Sequence, residues 1–327
     1  MDALPPEVLL QIVDLACCDV GQTACSLRLV SRYLCAATDP YRFRFIAVLG
    51  AKRMNRLFVA LSSAPEVKRT VRHLFVSDKP AETRYGRVYV NRAAPNDVDE
   101  VRKAQELSGF RFVRSAKDVL PLVAPSIETL TCLVHNPFGQ SDLLTTLLTT
   151  EFPKLTHLTL RLGDMRFPSL QRLPPDLSPS MPNLTHLHIL CSWKPSCAVI
   201  VEVGSIFASS NVTSNLSHIR FSGIQFTPLC PETLQLFMTP SSSDHAPLLP
   251  AVAELIIEPV PLDRGLQQTG LMGNILDMIC RIHEEGIVKG KMKFRVLSTT
   301  LLRTSGVSKQ RWLMVQSGNL PVSDDWS

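Results

Sequence analysis

The chain has 327 residues, 45% hydrophobic and 19% charged, so it carries enough apolar side chains for a substantial core and does not read as disordered. Its 46 leucines, and 24 prolines against 15 glycines, favour many short elements with sharp stops over collagen, flexible-linker or Gly-rich phosphate-loop designs. The net charge of +5 is too mild to imply nucleic acid, but residues 41–120 hold 17 Lys/Arg against 8 Asp/Glu, a basic excess within an otherwise slightly acidic chain.

The first fifty residues read as a helical unit. Pro5 and Pro6 stand in a first helical turn, where proline is tolerated, and Glu7 favours the positive end of the helix dipole. Val8, Leu9, Ile12, Val13 and Leu15 then cover more than one helix face, so the segment must bury two surfaces, one in its own domain and one elsewhere. After a turn at Asp19–Gly21, the segment from Thr23 to Thr38 places Leu27, Val30 and Leu34 at helical spacing. Ser31 and Asp39 are polar stops, and Pro40 ends the helical stretch. A domain this small has a marginal core, so packing against a neighbour or partner is expected.

The pattern L-P-x-E-V-L-x-x-I-x-x-L over Leu4–Leu15, followed by Leu27-Arg28-Leu29-Val30-Ser31-Arg32 and by Asp39-Pro40-Tyr41-Arg42, resembles an F-box. The resemblance covers residues 2–48. It implies a three-helix domain that docks the Skp-type adaptor of a cullin–RING ubiquitin ligase. The implied contacts are Leu4, Pro5, Val8, Leu9 and Ile12 from the first half, and Leu27, Val30, Ser31 and Leu34 from the second. Such contacts are apolar anchors desolvated against a helical partner. On this reading Leu9→Asp would release the adaptor and leave the fold standing.

Downstream, residues 40–65 carry Arg42, Arg44, Lys52, Arg53 and Arg56 with no acidic residue, a solvated helix face or a patch for an acidic partner. Residues 79–107 are charged and poor in apolar side chains, which predicts a surface loop. Six segments then share one phase, beginning at Val71, Ile127, Leu155, Leu184, Leu216 and Val252. Apart from the first, double gap, their spacing is 28–36 residues. The pattern L-x-x-L-x-L at this period resembles a degenerate leucine-rich repeat, without the asparagine that usually follows.

Between strands, Asp142 is placed to cap a helix over 143–150, Pro231 to open another arm, and Pro153, Pro182 and Pro250 to end arms just before strands. A longer amphipathic helix is predicted over 267–285 with Ile275, Met278, Ile279 and Ile282 inward. A last strand at 291–299 and a closing helix at 308–316 complete the chain. The expected architecture is α/β: a small three-helix F-box at 1–50, an irregular leucine-rich-repeat-like solenoid at 51–305, and a cap helix with a short acidic tail at 306–327.

No catalytic, cofactor or metal motif appears. There is no C-x-x-C, no G-x-G-x-x-G, no G-x-x-x-x-G-K-[ST], no G-x-S-x-G and no H-E-x-x-H. The nearest metal-like group, His186, His188, Cys191 and Cys197, lacks paired ligand spacing. No cofactor, metal or catalytic residue is therefore expected, and the chain reads as a non-enzyme. No run of 18 apolar residues spans a membrane, no signal peptide is evident, and nine scattered cysteines suit a reducing compartment. These features predict a soluble cytoplasmic or nuclear protein. The matches to the N-glycosylation sequon at Asn183, Asn211 and Asn215 carry no weight without secretion.

One constellation stands out. His73, His157, His186 and His218 all precede the second core residue of their repeats, so alternation turns them away from the core. On strands about 4.8 Å apart, the last three would form a ladder that favours neutral rings or an acidic ligand. With Arg161, His188 and Arg220 nearby, this strand face would receive an acidic or phosphorylated segment of a protein substrate. Alanine at His157, His186 and Arg220 would then weaken capture. The function expected from the whole is substrate recognition within an SCF-type ligase. Two alternatives are a ligase-independent F-box scaffold or protein-binding module and, less favoured, a nucleic-acid binder using the basic excess.

Overall fold

The computed structural model describes residues 5–79, 95–162, 180–191, 215–225, 252–259 and 293–296 almost continuously, with isolated helical positions between them. It is an α/β protein. Helices α1 (Pro6–Ala16), α2 (Gln22–Arg28) and α3 (Arg32–Thr38) come first, followed by a single 3-10 turn at Asp39–Tyr41. Strand β1 (Phe45–Leu49), helix α4 (Ala51–Ser63), strand β2 (His73–Ser77), helix α5 (Pro95–Val123), strand β3 (Thr129–Leu133) and helix α6 (Gln140–Thr149) alternate next. Five strands complete the described elements: β4 (His157–Leu162), β5 (His186–Cys191), β6 (His218–Ile224), β7 (Glu254–Pro259) and β8 (Lys293–Val296). The eight strands form one sheet in sequence order, and the registered pairs are parallel. The chain divides into two compact units, residues 1–132 with 303–327, and residues 133–302.

In the first unit, Pro6 occupies the first turn of α1 and the Pro5 carbonyl accepts from Leu9 N–H at 3.1 Å. Asp19 then organises the turn into α2. Its carboxylate accepts from Gly21 N–H at 3.0 Å and from Thr23 N–H and hydroxyl at 2.9 Å. Gly21 itself has φ of 82°, and a Cβ there would lie 3.3 Å from the Arg42 carbonyl, so glycine answers both backbone and space. The segment from Thr23 to Thr38 is two helices. Ser31 starts the second of them, accepting from Leu34 N–H at 3.1 Å as an N-cap. Leu9, Val13, Cys17, Ala24 and Leu34 form the buried centre, with Leu27, Ala37 and Tyr41 packed against it. Ion pairs Asp14–Arg44 and Arg28–Asp39 fasten the helices to the chain that follows.

Two expectations for this unit change. Phe45–Leu49 is a strand, paired residue for residue with β2. The region predicted as a surface loop, 79–107, enters helix α5 at Pro95; residues 80–94 lie outside the described residues. Residues 95–107 mix charges with the helix formers Ala, Glu, Lys, Arg and Gln, so intrinsic propensity shapes them where apolar periodicity is faint. From there Phe112, Val113, Ala116, Val119, Leu120 and Val123 turn inward, as Met54, Leu57 and Leu61 do on α4, and the two helices pack beside each other.

In the second unit the core side of the strands is Leu158 and Leu160, Leu187, Ile189 and Cys191, Ile219 and Phe221, Leu255 and Ile257, and Phe294. Each strand entry repeats one arrangement. The carbonyl two residues before a strand's second residue accepts two successive N–H groups of the next rung, as Thr156 does from Thr185 and His186, and Thr185 from Ser217 and His218. Asparagines add a second tie: Asn183 donates to the Pro153 carbonyl at 2.6 Å, and Asn215 to the Pro182 carbonyl at 2.8 Å. The repeat's asparagines thus precede the strand.

Helix α6 begins after Gly139 in the left-handed region, and Asp142 lies inside its first turn without capping it. Met278, expected to face inward, is exposed beside the buried Ile279; Ile275 and Ile282 lie outside the described residues. Cys230 is buried and disulfide-bonded, whereas Cys17, Cys25, Cys35, Cys132 and Cys191 are free. No helix among the described residues is long and apolar enough to cross a membrane.

Candidate functional site

Two surfaces carry the side chains singled out by the sequence. On the helical unit the predicted docking residues separate by burial. Leu9 and Leu34 are buried, Leu27 packs against them, and Ser31 spends its hydroxyl on the α3 cap. These four hold the unit together. Pro5, Val8, Ile12 and Val30 face outward, Val30 with 66% of its surface accessible; Leu4 lies outside the described residues. Leu9→Asp would therefore place a carboxylate among Val13, Cys17, Ala24 and Leu34 and undo the helices themselves.

The exposed apolar set is wider than predicted. Leu15 continues the Val8–Ile12 stripe at helical spacing with 78% of its surface accessible. Leu29, 89% accessible, joins Val30 in the turn between α2 and α3, and Tyr33 is exposed on α3. The spacing of residues 8, 12 and 15 was visible in the sequence. Leu29 falls off the Leu27, Val30 and Leu34 spacing, and its exposure follows from the turn between α2 and α3.

On the second unit the registered strands bring His157, His186 and His218 into line. Their rings stack, with centroids 4.3 Å and 4.4 Å apart and planes within 9° and 5°. Each Nδ1 lies 2.8–2.9 Å from the hydroxyl of the residue before it, Thr156, Thr185 or Ser217. Thr185 and Ser217 donate those hydroxyls to the Thr156 and Thr185 carbonyls at 3.1 Å and 3.2 Å. A hydroxyl so committed accepts from Nδ1–H, which leaves the lone pair of His186 and His218 on Nε2.

Burial, then the neighbouring His157 and His218, pushes the His186 pKa down to about 3, so this ring is neutral at physiological pH. Stacked, near-parallel rings aim their lone pairs along parallel lines, and they do not converge on a single ion. Among the described residues no group of three His, Cys, Asp or Glu side chains is placed to hold a metal. His73, in the first unit, stacks instead on Phe45 at 4.5 Å and contacts the Thr129 hydroxyl at 3.0 Å.

The next rung of the same strand face behaves differently. Arg220 is buried, and its guanidinium donates to Glu258 at 2.8 Å. Ser222 donates to the same carboxylate oxygen at 2.7 Å, and His188 Nε2 lies 2.8 Å from Ser222 Oγ. Serine, histidine and glutamate are thus in contact, but the serine proton is directed at the carboxylate and His188 Nε2–H is left to donate to Oγ. That wiring is the reverse of a base-activated nucleophile. The buried thiols of Cys132 and Cys191 are pushed up to about 12 by desolvation, far from the range of a reactive thiolate.

At β7 and β8, Glu254 lies 2.7 Å from Arg295, 3.5 Å from Lys293 and 3.8 Å from His218. Of the predicted substrate residues, His157, His186 and His218 are brought together, and His188 and Arg220 join one buried network. Arg161 is half-buried on β4, its carbonyl accepting from Val134 at 3.0 Å. Alanine at His186 or Arg220 would perturb stacking or a buried ion pair before it reported on any ligand. No protein-family model matches the chain, and no curated protein matches it.

Proposed function

We propose that the chain is a non-catalytic substrate-recognition subunit of an SCF-type cullin–RING ubiquitin ligase. The N-terminal helices, read as an F-box, dock a Skp-type adaptor, and through it cullin and RING subunits. The parallel-strand domain, read as a leucine-rich-repeat-like solenoid, presents a protein client. The observation that carries this reading is the surplus apolar surface of α1–α3. With Leu9, Val13, Ala24 and Leu34 already buried, Val8, Ile12, Leu15, Leu29 and Val30 remain exposed on the same small unit. Large exposed apolar side chains on so small a domain are the pattern of a partner interface.

No residue of this subunit need act chemically; its contribution is to raise the effective concentration of a client near a charged conjugating enzyme. Affinity purification of the full chain from cells, with cullin neddylation inhibited, tests the reading. The wild type is expected to retain the adaptor. Ile12→Asp and Val30→Asp, on exposed positions, are expected to lose it while keeping the wild-type circular dichroism. Undiminished adaptor capture by both variants would overturn the assignment.

A further inference from the structure

One cavity of the first unit gathers more positive charge than its own fold pairs. It has a volume of about 430 Å³ and lies where the end of α2, the chain around the 3-10 turn and the end of α4 come together. Its charged wall is Arg28, Asp39 and Arg42. Asp39 is spent on Arg28, accepting from one end of the guanidinium through Oδ1. A guanidinium carries five N–H groups, so Arg28 keeps donors beyond that pair. Arg42 is exposed, with its guanidinium carbon 4.7 Å from the centroid of the Phe43 ring, and it makes no ion pair among the described residues.

The end of α4 does not call for those donors. The Ser63 hydroxyl donates to the Val59 and Ala60 carbonyls at 2.8 Å and 3.2 Å, and Ala64 N–H donates to Leu61 at 3.2 Å. Arg69 donates to the Ser62 and Ala64 carbonyls at 3.4 Å and 2.9 Å, which brings a third guanidinium against a residue of the cavity wall. The acidic residues of these segments are Asp39 and the exposed Glu66, one position past the lining Pro65; Glu66 has no ion pair among the described residues. Phe43, Ala60, Ala64 and Pro65 supply apolar surface beside the guanidiniums. The cavity thus offers donors, positive charge and apolar wall, while the carbonyls named are already committed.

We propose that this cavity binds a phosphate monoester, with the phosphate held by Arg28 and Arg42 and the organic group laid against Phe43 and the end of α4. Guanidinium N–H groups match phosphate oxygens in charge and in forked geometry. A phosphate with three terminal oxygens and nearly two negative charges serves two guanidiniums at once, and a carboxylate has only two oxygens to share. The volume of about 430 Å³ falls within the roughly 300–1,000 Å³ of small-molecule sites, which leaves room for an organic group beside the phosphate. A free ester and a phosphorylated side chain present this same chemistry, and the test separates them. The site is distinct from the exposed apolar set on α1–α3, and the proposal stands whether or not an adaptor docks there.

The test uses the full chain and phenyl phosphate, titrated by isothermal calorimetry. Binding is expected. Inorganic phosphate, which lacks the ring, and benzoate, which keeps the ring on a carboxylate, are each expected to bind at least about tenfold more weakly. A phosphotyrosine tripeptide that binds at least about tenfold more tightly than phenyl phosphate makes a phosphorylated protein the source; equal or weaker binding makes it a free ester, and the site stands in both cases. Arg42→Gln is expected to lower the affinity at least about tenfold while melting as the wild type does, since Arg42 is exposed and outside any ion pair. Ala60→Phe, which fills the cavity without changing charge, is expected to abolish binding. Arg56→Gln, on α4 but outside the cavity lining, is expected to leave it unchanged. The proposal is overturned if phenyl phosphate does not bind, if inorganic phosphate or benzoate binds as tightly, or if the folded Arg42→Gln protein binds it unchanged. An equal loss in Arg56→Gln and Arg42→Gln would also overturn it, because diffuse attraction and no site would then explain the binding.

Discussion

The histidine stack makes an acid-stability prediction with a definite sign. In the unfolded chain His186 titrates near its ordinary value of 6.5, whereas in the stack burial and the adjoining His157 and His218 hold it at about 3. Above pH 6.5 the ring is neutral in both states and the stack keeps its full contribution. Below that, the unfolded chain takes up a proton that the folded ring refuses, so stability is lost as pH falls from 6.5 toward 3. Each unit of pH between those values costs at most about 1.4 kcal/mol.

From about pH 7 to about pH 5 the loss from this ring is at most about 2 kcal/mol, and solvent screening of a half-buried ring reduces it to roughly 1–1.5 kcal/mol. His186→Phe removes the titration and keeps a stacked ring, as Phe45 on His73 does elsewhere in the fold. Urea unfolding of both proteins at the two pH values gives the four free energies. Wild type is expected to lose roughly 1–1.5 kcal/mol more than the variant on acidification. Equal losses, or a larger loss in the variant, would refute the argument that the stack excludes the proton.

Three further predictions follow from burial and pairing. Leu9→Ala is expected to cost about 2–4 kcal/mol, read as early melting of the helical unit, whereas Ile12→Ser is expected to stay within about 0.5 kcal/mol of wild type because it faces solvent. Arg220→Ala and Glu258→Ala are each expected to cost about 3–5 kcal/mol in urea titrations, because each leaves a buried charge. Replacing both by leucine is expected to cost much less than the two single losses combined. Asn183→Ala and Asn215→Ala are expected to cost roughly 0.5–1 kcal/mol each, seen as faster amide exchange at the Pro153 and Pro182 turns.

The strand pattern was legible because it is local. Alternation in Leu-Thr-His-Leu and its relatives puts histidine on one face and leucine on the other, and equal phase aligns them across neighbouring strands. The first helix was legible for the same reason, since proline, an acidic residue and a doubled apolar stripe lie within twelve residues. What escaped depends on partners distant in sequence or on backbone geometry. Arg220 reads as an exposed cation until Glu258, 38 residues away, is brought against it. Phe45–Leu49 is a continuous apolar run without the histidine signature, and its strand identity comes from pairing with β2. The start of α6 passes to Gly139 because a residue in the left-handed region supplies the turn that the Asp142 side chain was expected to cap.

The pairing of charges also relocates where a client would be read. On β6 to β8 the cations Arg220, Lys293 and Arg295 lie against Glu254 or Glu258, so that stretch of the strand face satisfies itself electrostatically. A ligand recruited there by charge would have to displace a carboxylate already at 2.7–2.8 Å, and desolvated pairs are not readily exchanged for equivalent ones. In the first unit, Arg44 and Arg28 are similarly met by Asp14 and Asp39. The cations of α4 have no acidic residue on their own helix, whereas α5 balances five cations with five acidic residues. Of the net basic excess of nine in residues 41–120, α4 supplies three and α5 none, so the helices account for only part of it.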